Sequence, residues 1–273
     1  MKRWNFVLAL SFALCGGVTA WTQQGAPTSA EALQQVRRYS LQARASRLEM
    51  SPDAVASVVR TAIVADSENS ELHRALGDVY LFQVRSSAGA SPNIPDLLAA
   101  MQRATAAYER AIQLDPANAV ALSSHGLLLT IGAFLQQKPE LAAQGIGELD
   151  RAVELGPRSL VPRLNRAFTG VNLPPQLRNT SAVTEDLKFL ITVAEGSRAG
   201  DMVHLLLGDL YAETGKLDDA RAQYAAATRR PATAAREAVA TRLAALDKGT
   251  LPTAEIMTVR GSIVTDCVMC HAQ

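Results

Sequence analysis

The sequence predicts an all-α protein, and three observations predict it. Ala, Leu, Val, Arg and Glu dominate the 273 residues while aromatics make up only 5%, a mixture that favours helices over sheets. Runs of Val and Ile in strict alternation, the mark of half-buried strands, are scarce. Two distant stretches, Ala104–Asn118 and Ala220–Pro231, repeat one helical pattern, so the chain is built from a recurring unit. The length is ample for a buried core. Its 27 Lys and Arg nearly balance 26 Asp and Glu, both signs interspersed, for a formal charge of +1. There is no basic run to hold phosphates, so no nucleic-acid partner is expected.

Taken in order, the chain opens with the pattern of an export signal over residues 1–20. Lys2 and Arg3 supply positive charge, Phe6 to Leu14 a short apolar run, and Val18-Thr-Ala20 a small-residue cleavage site before Trp21. The apolar run is too short for a membrane-spanning helix, so no span is expected after cleavage. Cys15 invites lipid attachment, but Leu14 before it is a poor residue for that processing. The expectation is a periplasmic or otherwise exported protein. Residues 21–51 form an N-terminal segment whose helix-rich part is Ala30 to Leu48.

Residues 52–248 hold the repeat. Ala104-Thr-Ala-Ala-Tyr108-Glu-Arg-Ala111 and Ala220-Arg-Ala-Gln-Tyr224-Ala-Ala-Ala227 each place an aromatic four residues after a small residue, then an alanine three later, with a proline closing the turn. Upstream of each stands Leu76-Gly77-Asp78-Val79-Tyr80 or Leu207-Gly208-Asp209-Leu210-Tyr211. Glycine there lets two helices approach closely, and the aromatic one turn on covers the gap. These stretches resemble the second and first helices of the tetratricopeptide repeat. The resemblance implies a solenoid of helical hairpins that presents a surface to protein partners. The alanine at the close crossing serves as a ruler, with equivalents at Ala62, Ala111, Ala152, Val193 and Ala227, spaced 49, 41, 41 and 34 residues apart. The excess over the family period of 34 falls in three loops, around Ser86–Pro95, Gln136–Pro139 and Val171–Gln176. Stacked repeats would bring these to one rim, and long loops on a rigid scaffold often carry function. The unit before Val193 has Arg163, Arg166 and Gly170 where apolar packing is usual, so distortion is expected there. Ala234 to Asp247 reads as a solvating end helix, stopped by Gly249 and Pro252.

Residues 249–273 end in Cys267-Val-Met-Cys270-His271. Removal of the signal also removes Cys15 and leaves these two cysteines alone in the mature chain. Two thiols three residues apart reach the two vinyl groups on one porphyrin edge, and the next histidine falls under the iron. The motif resembles that of c-type cytochromes. The resemblance implies one covalent haem c on Cys267 and Cys270, with His271 as proximal ligand, attached outside the cytoplasm. Other readings of the same residues are a disulfide or thiol-exchange site, a zinc site short of one ligand, and a fortuitous motif. Only Ala272 and Gln273 follow His271, whereas small cytochromes continue and enclose their haem. A haem here would lean on the helical array or on a partner.

The candidates for the distal iron position are His73, His125, His204, Met202 and Met257; Met269 lies inside the attachment loop itself. His204 is favoured because its repeat is nearest the tail in sequence, although a packing role is the ordinary expectation for each histidine. With no clustered nucleophile and base, phosphate loop or paired carboxylates, no enzyme activity is expected and no catalytic residue is named. The expected function is electron transfer by a single haem on a protein-docking scaffold. The alternatives are a scaffold without redox chemistry and an open haem site that binds a small ligand.

Overall fold

The computed structural model describes residues 25–44, 49–87, 93–228 and 234–251. Among them it is all-α, as the sequence predicts: eleven α-helices, one 3-10 turn and no strand. The helices are α1 (Ser29–Arg44), α2 (Pro52–Ala65), α3 (Ser70–Ser87), α4 (Ile94–Leu114), α5 (Ala119–Gln136), α6 (Pro139–Leu155), α7 (Leu160–Asn172), α8 (Thr180–Ala194), α9 (Arg198–Glu213), α10 (Leu217–Ala227) and α11 (Ala234–Asp247), with the 3-10 turn at Pro175–Leu177.

Local chemistry sets these boundaries. Ser51, Asn93, Asn118, Asn179 and Ser197 each accept a backbone N–H from the first turn of the helix they precede, which satisfies a donor that the helix leaves unpaired. Pro52, Pro95 and Pro139 sit in first turns, where their missing N–H costs nothing. Three second helices end alike: the N–H of Asp66, Asp115 and Gly156 donates to the carbonyl of Ala62, Ala111 and Ala152 at 2.9–3.0 Å.

Consecutive helices run antiparallel. Ser29 at the start of α1 donates to Asp66 just past α2 at 2.7 Å, and Ser70 at the start of α3 donates to the carbonyl of Ala111 near the end of α4 at 3.1 Å. Next-nearest helices also meet, α1 with α3, α3 with α5, α5 with α7 and α9 with α11. Asn118, opening α5, donates to Ser70, opening α3, at 3.2 Å. One edge of the array therefore gathers the loops α3–α4, α5–α6 and α7–α8; the second, expected to be long, is only the turn of Gln137 and Lys138, because α5 and α6 themselves take up the extra residues. The C-terminal end of α11 lies at that edge too, because Arg221 near the start of α10 pairs with Asp247 at 2.8 Å.

Four close crossings repeat along the first helices of the pairs. A Cβ on Gly77 of α3 would stand 2.6 Å from the Tyr108 ring of α4, and one on Gly208 of α9 2.5 Å from the Tyr224 ring of α10. Gly126 meets the Gly145 carbonyl and Gly170 meets Val183 at similarly forbidden distances. Each tyrosine then donates its hydroxyl to the residue after the glycine, Tyr108 to Asp78 at 2.7 Å and Tyr224 to Asp209 at 2.9 Å.

The alanine ruler needs one correction. Ala62, Ala111, Ala152 and Ala227 are buried, but Val193 is 37% exposed, and α8 buries Val183, Asp186, Leu187, Leu190 and Ala194 instead. The turn after α8 is built on Glu195 and left-handed Gly196 rather than on a closing proline. Val193 therefore does not hold a buried crossing position like those of the four alanines. The arginines expected to distort this unit are accommodated instead. Asp186 of α8, fully buried, receives Arg163 at 2.7 Å and Arg166 at 2.6 and 3.0 Å.

Apolar packing divides into two clusters, one drawn from α1–α5 and the other from α7–α11. Between them runs a polar seam in which Ser123, Ser124, His125, Asn165 and Asp186 are all buried. Asn165 of α7 donates to Ser123 of α5 at 3.2 Å and so ties the two halves together. Among the described residues, α5 alone is long and apolar enough to cross a membrane by length and composition, and most of it is buried inside the array.

Candidate functional site

The attachment residues Cys267, Cys270 and His271 lie outside the described residues, as do Met257 and the export signal. The structure does place the other distal candidates, and it separates them by what each ring or thioether is already doing.

His73, early in α3, faces the Ser67 carbonyl through Nε2 at 3.0 Å. A carbonyl only accepts, so Nε2 carries the proton and the ring serves to join α3 to the turn before it. His125, in the middle of α5, is 4% exposed. Its Nδ1 donates to Glu148 of α6 at 2.6 Å, while Nε2 is buried and without a hydrogen-bond partner, 3.7 Å from Glu109. No porphyrin reaches that nitrogen without parting α4, α5 and α6. Met202 of α9 is buried within the C-terminal apolar cluster, where its sulfur packs rather than projects.

His204 of α9 is different. It is half-buried, and Nδ1 donates to Oε1 of Gln223 on α10 at 2.8 Å. An amide oxygen on Nδ1 fixes the proton there and leaves the Nε2 lone pair free, which is the arrangement that orients imidazoles toward metals. The sequence favoured His204 from proximity alone; the Gln223 contact, six residues past the start of α10, was invisible without the pairing of α9 with α10.

Two groups that sequence reasoning passed over hold this end of the array. Asp209 accepts from Tyr224, and it also receives Arg242 of α11, Nε at 2.6 Å and Nη2 at 2.9 Å. Arg178, after the 3-10 turn, pairs with Glu213 at the end of α9 and donates to the Leu173 carbonyl at 2.8 Å. The signal for both was present in the sequence, an arginine in each of two segments expected to be helical or looped, but pairing partners 33 and 35 residues away are set by tertiary packing.

The carboxyl groups in these networks are perturbed by burial. Burial raises the Asp78 carboxyl, with Arg74 and the Tyr108 hydroxyl pulling it back. Burial likewise raises Asp186 against the opposing pull of Arg166 and Arg163. Both carboxylates are consumed in structural pairing. No cluster of three or more His, Cys, Asp or Glu side chains suited to a metal ion occurs among the described residues. Comparison with protein-family models finds no match, and comparison with curated proteins finds none.

Proposed function

We propose that this chain is an exported monohaem c-type cytochrome whose haem is carried on a tetratricopeptide-like array of helical hairpins, and that it transfers electrons to or from a docked protein partner. The observation that carries this reading is Cys267-Val-Met-Cys270-His271, which places two thiols and an imidazole at the spacing haem attachment requires. The export pattern of residues 1–20 agrees with it, because such haems are attached outside the cytoplasm. Cys267 and Cys270 would hold the porphyrin through thioethers and His271 would take the proximal position. The haem supplies reversible one-electron chemistry at iron. The protein's own part is to orient the ring, limit water around it and present its edge to a partner.

For the distal position the reading favours His204, whose Nε2 lone pair is left free by the Gln223 contact. The scaffold reading is supported by the Gly77–Tyr108 and Gly208–Tyr224 crossings and by the meeting of alternate helices along the array. A pyridine haemochrome spectrum of protein made with a haem-attachment system tests the proposal. A spectrum of the thioether-linked type is expected, and colourless protein would leave only a helical scaffold.

A further inference from the structure

Each apolar cluster is knit across several hairpins. Ala121 and Leu128 carry the first from α3 and α4 into α5, and Val239 and Leu246 carry the second from α9 into α11. No buried residue of α6 belongs to either. α6 is held to α5 instead, by the Gly126–Gly145 crossing and by Glu148 on His125. The N-terminal half of the array is therefore α1–α6 and the C-terminal half α7–α11.

Where α7 meets the first half, the clusters do not join: no side chain of α7 enters the first, and none of α5 or α6 enters the second. The bonds that cross are polar and few. Asn165 donates to the hydroxyls of Ser123 at 3.2 Å and Ser124 at 3.5 Å, one amide spread over two neutral acceptors. Arg166 reaches Asp150 of α6 at 3.0 Å, while its two bonds to Asp186 stay within the C-terminal half. Thr169, one turn after Asn165, is buried, and its Oγ1 has no hydrogen-bond partner. A cavity of about 20 Å³ lies alongside, between Ile146, Leu149 and Asp150 of α6 and Arg166, Thr169 and Gly170 of α7.

Such a seam parts more readily than either cluster. Hydroxyls and amides regain hydrogen bonds from water when they separate, whereas apolar side chains lose their burial and gain nothing. The orphaned Thr169 hydroxyl is costly when closed in and satisfied when wet. Across a void there is no dispersion to lose. The helices on both sides keep their own backbone hydrogen bonds throughout.

We propose that the seam between α7 and the α5–α6 hairpin is a hinge, at which the two halves of the array part and reclose as units while residues 156–159 keep them joined. Each half retains its core, so the array changes curvature without unfolding. This device stands on the packing alone and does not depend on the haem reading.

Alkylation of buried cysteines in the full-length protein tests it. Ser123→Cys and Thr169→Cys put reporters on the two sides of the seam, and Val79→Cys and Val203→Cys put one in each cluster; all four positions are buried. Reaction with iodoacetamide is followed at each site by peptide mass and divided by the rate in urea-unfolded protein. The two seam sites should react at equal rates, faster than either cluster site by about tenfold or more, because a sub-global opening reaches them and leaves the clusters closed. Seam rates no higher than the cluster rates overturn the proposal, since the halves would then part only on global unfolding. Seam rates that differ from each other by about tenfold also overturn it, since one helix would be fluctuating alone. Thr169→Val in the Ser123→Cys protein removes the orphaned hydroxyl and keeps its shape, so reaction at the reporter should slow. Unchanged or faster reaction there contradicts the hinge. Should a seam variant fail to fold, Ser124→Cys is compared with the cluster sites under the same criterion.

Discussion

Arg242 of α11 is fully buried against Asp209 of α9, its Nε and Nη2 each within 2.9 Å of a carboxylate oxygen. Asp209 also accepts the Tyr224 hydroxyl, so one carboxylate joins the last hairpin to the helix that closes the array. Removing one partner of such a pair strands a charge without solvent. Arg242→Ala is expected to destabilise by about 3–5 kcal/mol, whereas replacing both partners by apolar residues of similar volume costs far less. Urea melts of the single and double variants decide this, and equal losses would mean that the pair contributes by packing alone.

The close crossings predict opposite outcomes for glycines in helices. Gly77→Leu drives a side chain into the Tyr108 ring, and Ala111→Trp overfills a fully buried site, so each should cost about 1–3 kcal/mol or more. Gly147 of α6 has nothing within 4 Å of an added Cβ. Gly147→Ala should therefore stabilise, by up to about 1 kcal/mol from helix propensity. Thermal melts compare the three, and a silent Gly77→Leu would show that the helices do not cross there.

Alkaline titration reads two of the five tyrosines. Burial, aided by the nearby Asp53 charge, pushes the Tyr39 phenol up to about 12. Burial and then the Asp78 carboxylate raise Tyr108 well above its ordinary value. A phenol raised in the folded state contributes stability that is fully present below about pH 10 and lost as pH climbs through about 12. Absorbance near the phenolate band should thus show some tyrosines ionising only together with loss of helix. Five phenols titrating reversibly at the ordinary value would contradict the packing around Tyr39 and Tyr108.

The histidines should separate by spectrum and stability. In haem-loaded protein, His204→Ala is expected to convert low-spin to high-spin iron. His125→Ala removes the 2.6 Å contact to Glu148 and empties a buried site in α5, so it should lower the melting temperature while leaving the spin state alone. His73→Ala should change neither strongly. If His204→Ala leaves the iron spectrum as it was, the distal ligand is not on α9.

Helix type, the end helix Ala234–Asp247 and the loops before α4 and α8 were legible because each depends on local signals: capping Asn and Ser, proline in first turns and the glycine–tyrosine spacing; the excess around Gln136–Pro139 instead went into α5 and α6. The exposure of Val193 was not legible, because the turn after α8 is built on Gly196 and lacks the proline found after α4 and α6. Nor did Arg163 and Arg166 reveal themselves as buried partners of Asp186, since sequence separations of about twenty residues carry no pairing information. Cys267-Val-Met-Cys270-His271 was visible in the sequence because its five residues are contiguous, and it lies outside the described residues.

The central claim is covalent haem, and intact mass of the denatured protein tests it most directly. Thioether bonds survive denaturation whereas axial bonds to iron do not. Wild-type protein made with a haem-attachment system should carry the mass of one haem, and Cys267→Ala with Cys270→Ala should carry none. A wild-type mass without haem, or equal haem on the double variant, would contradict the account.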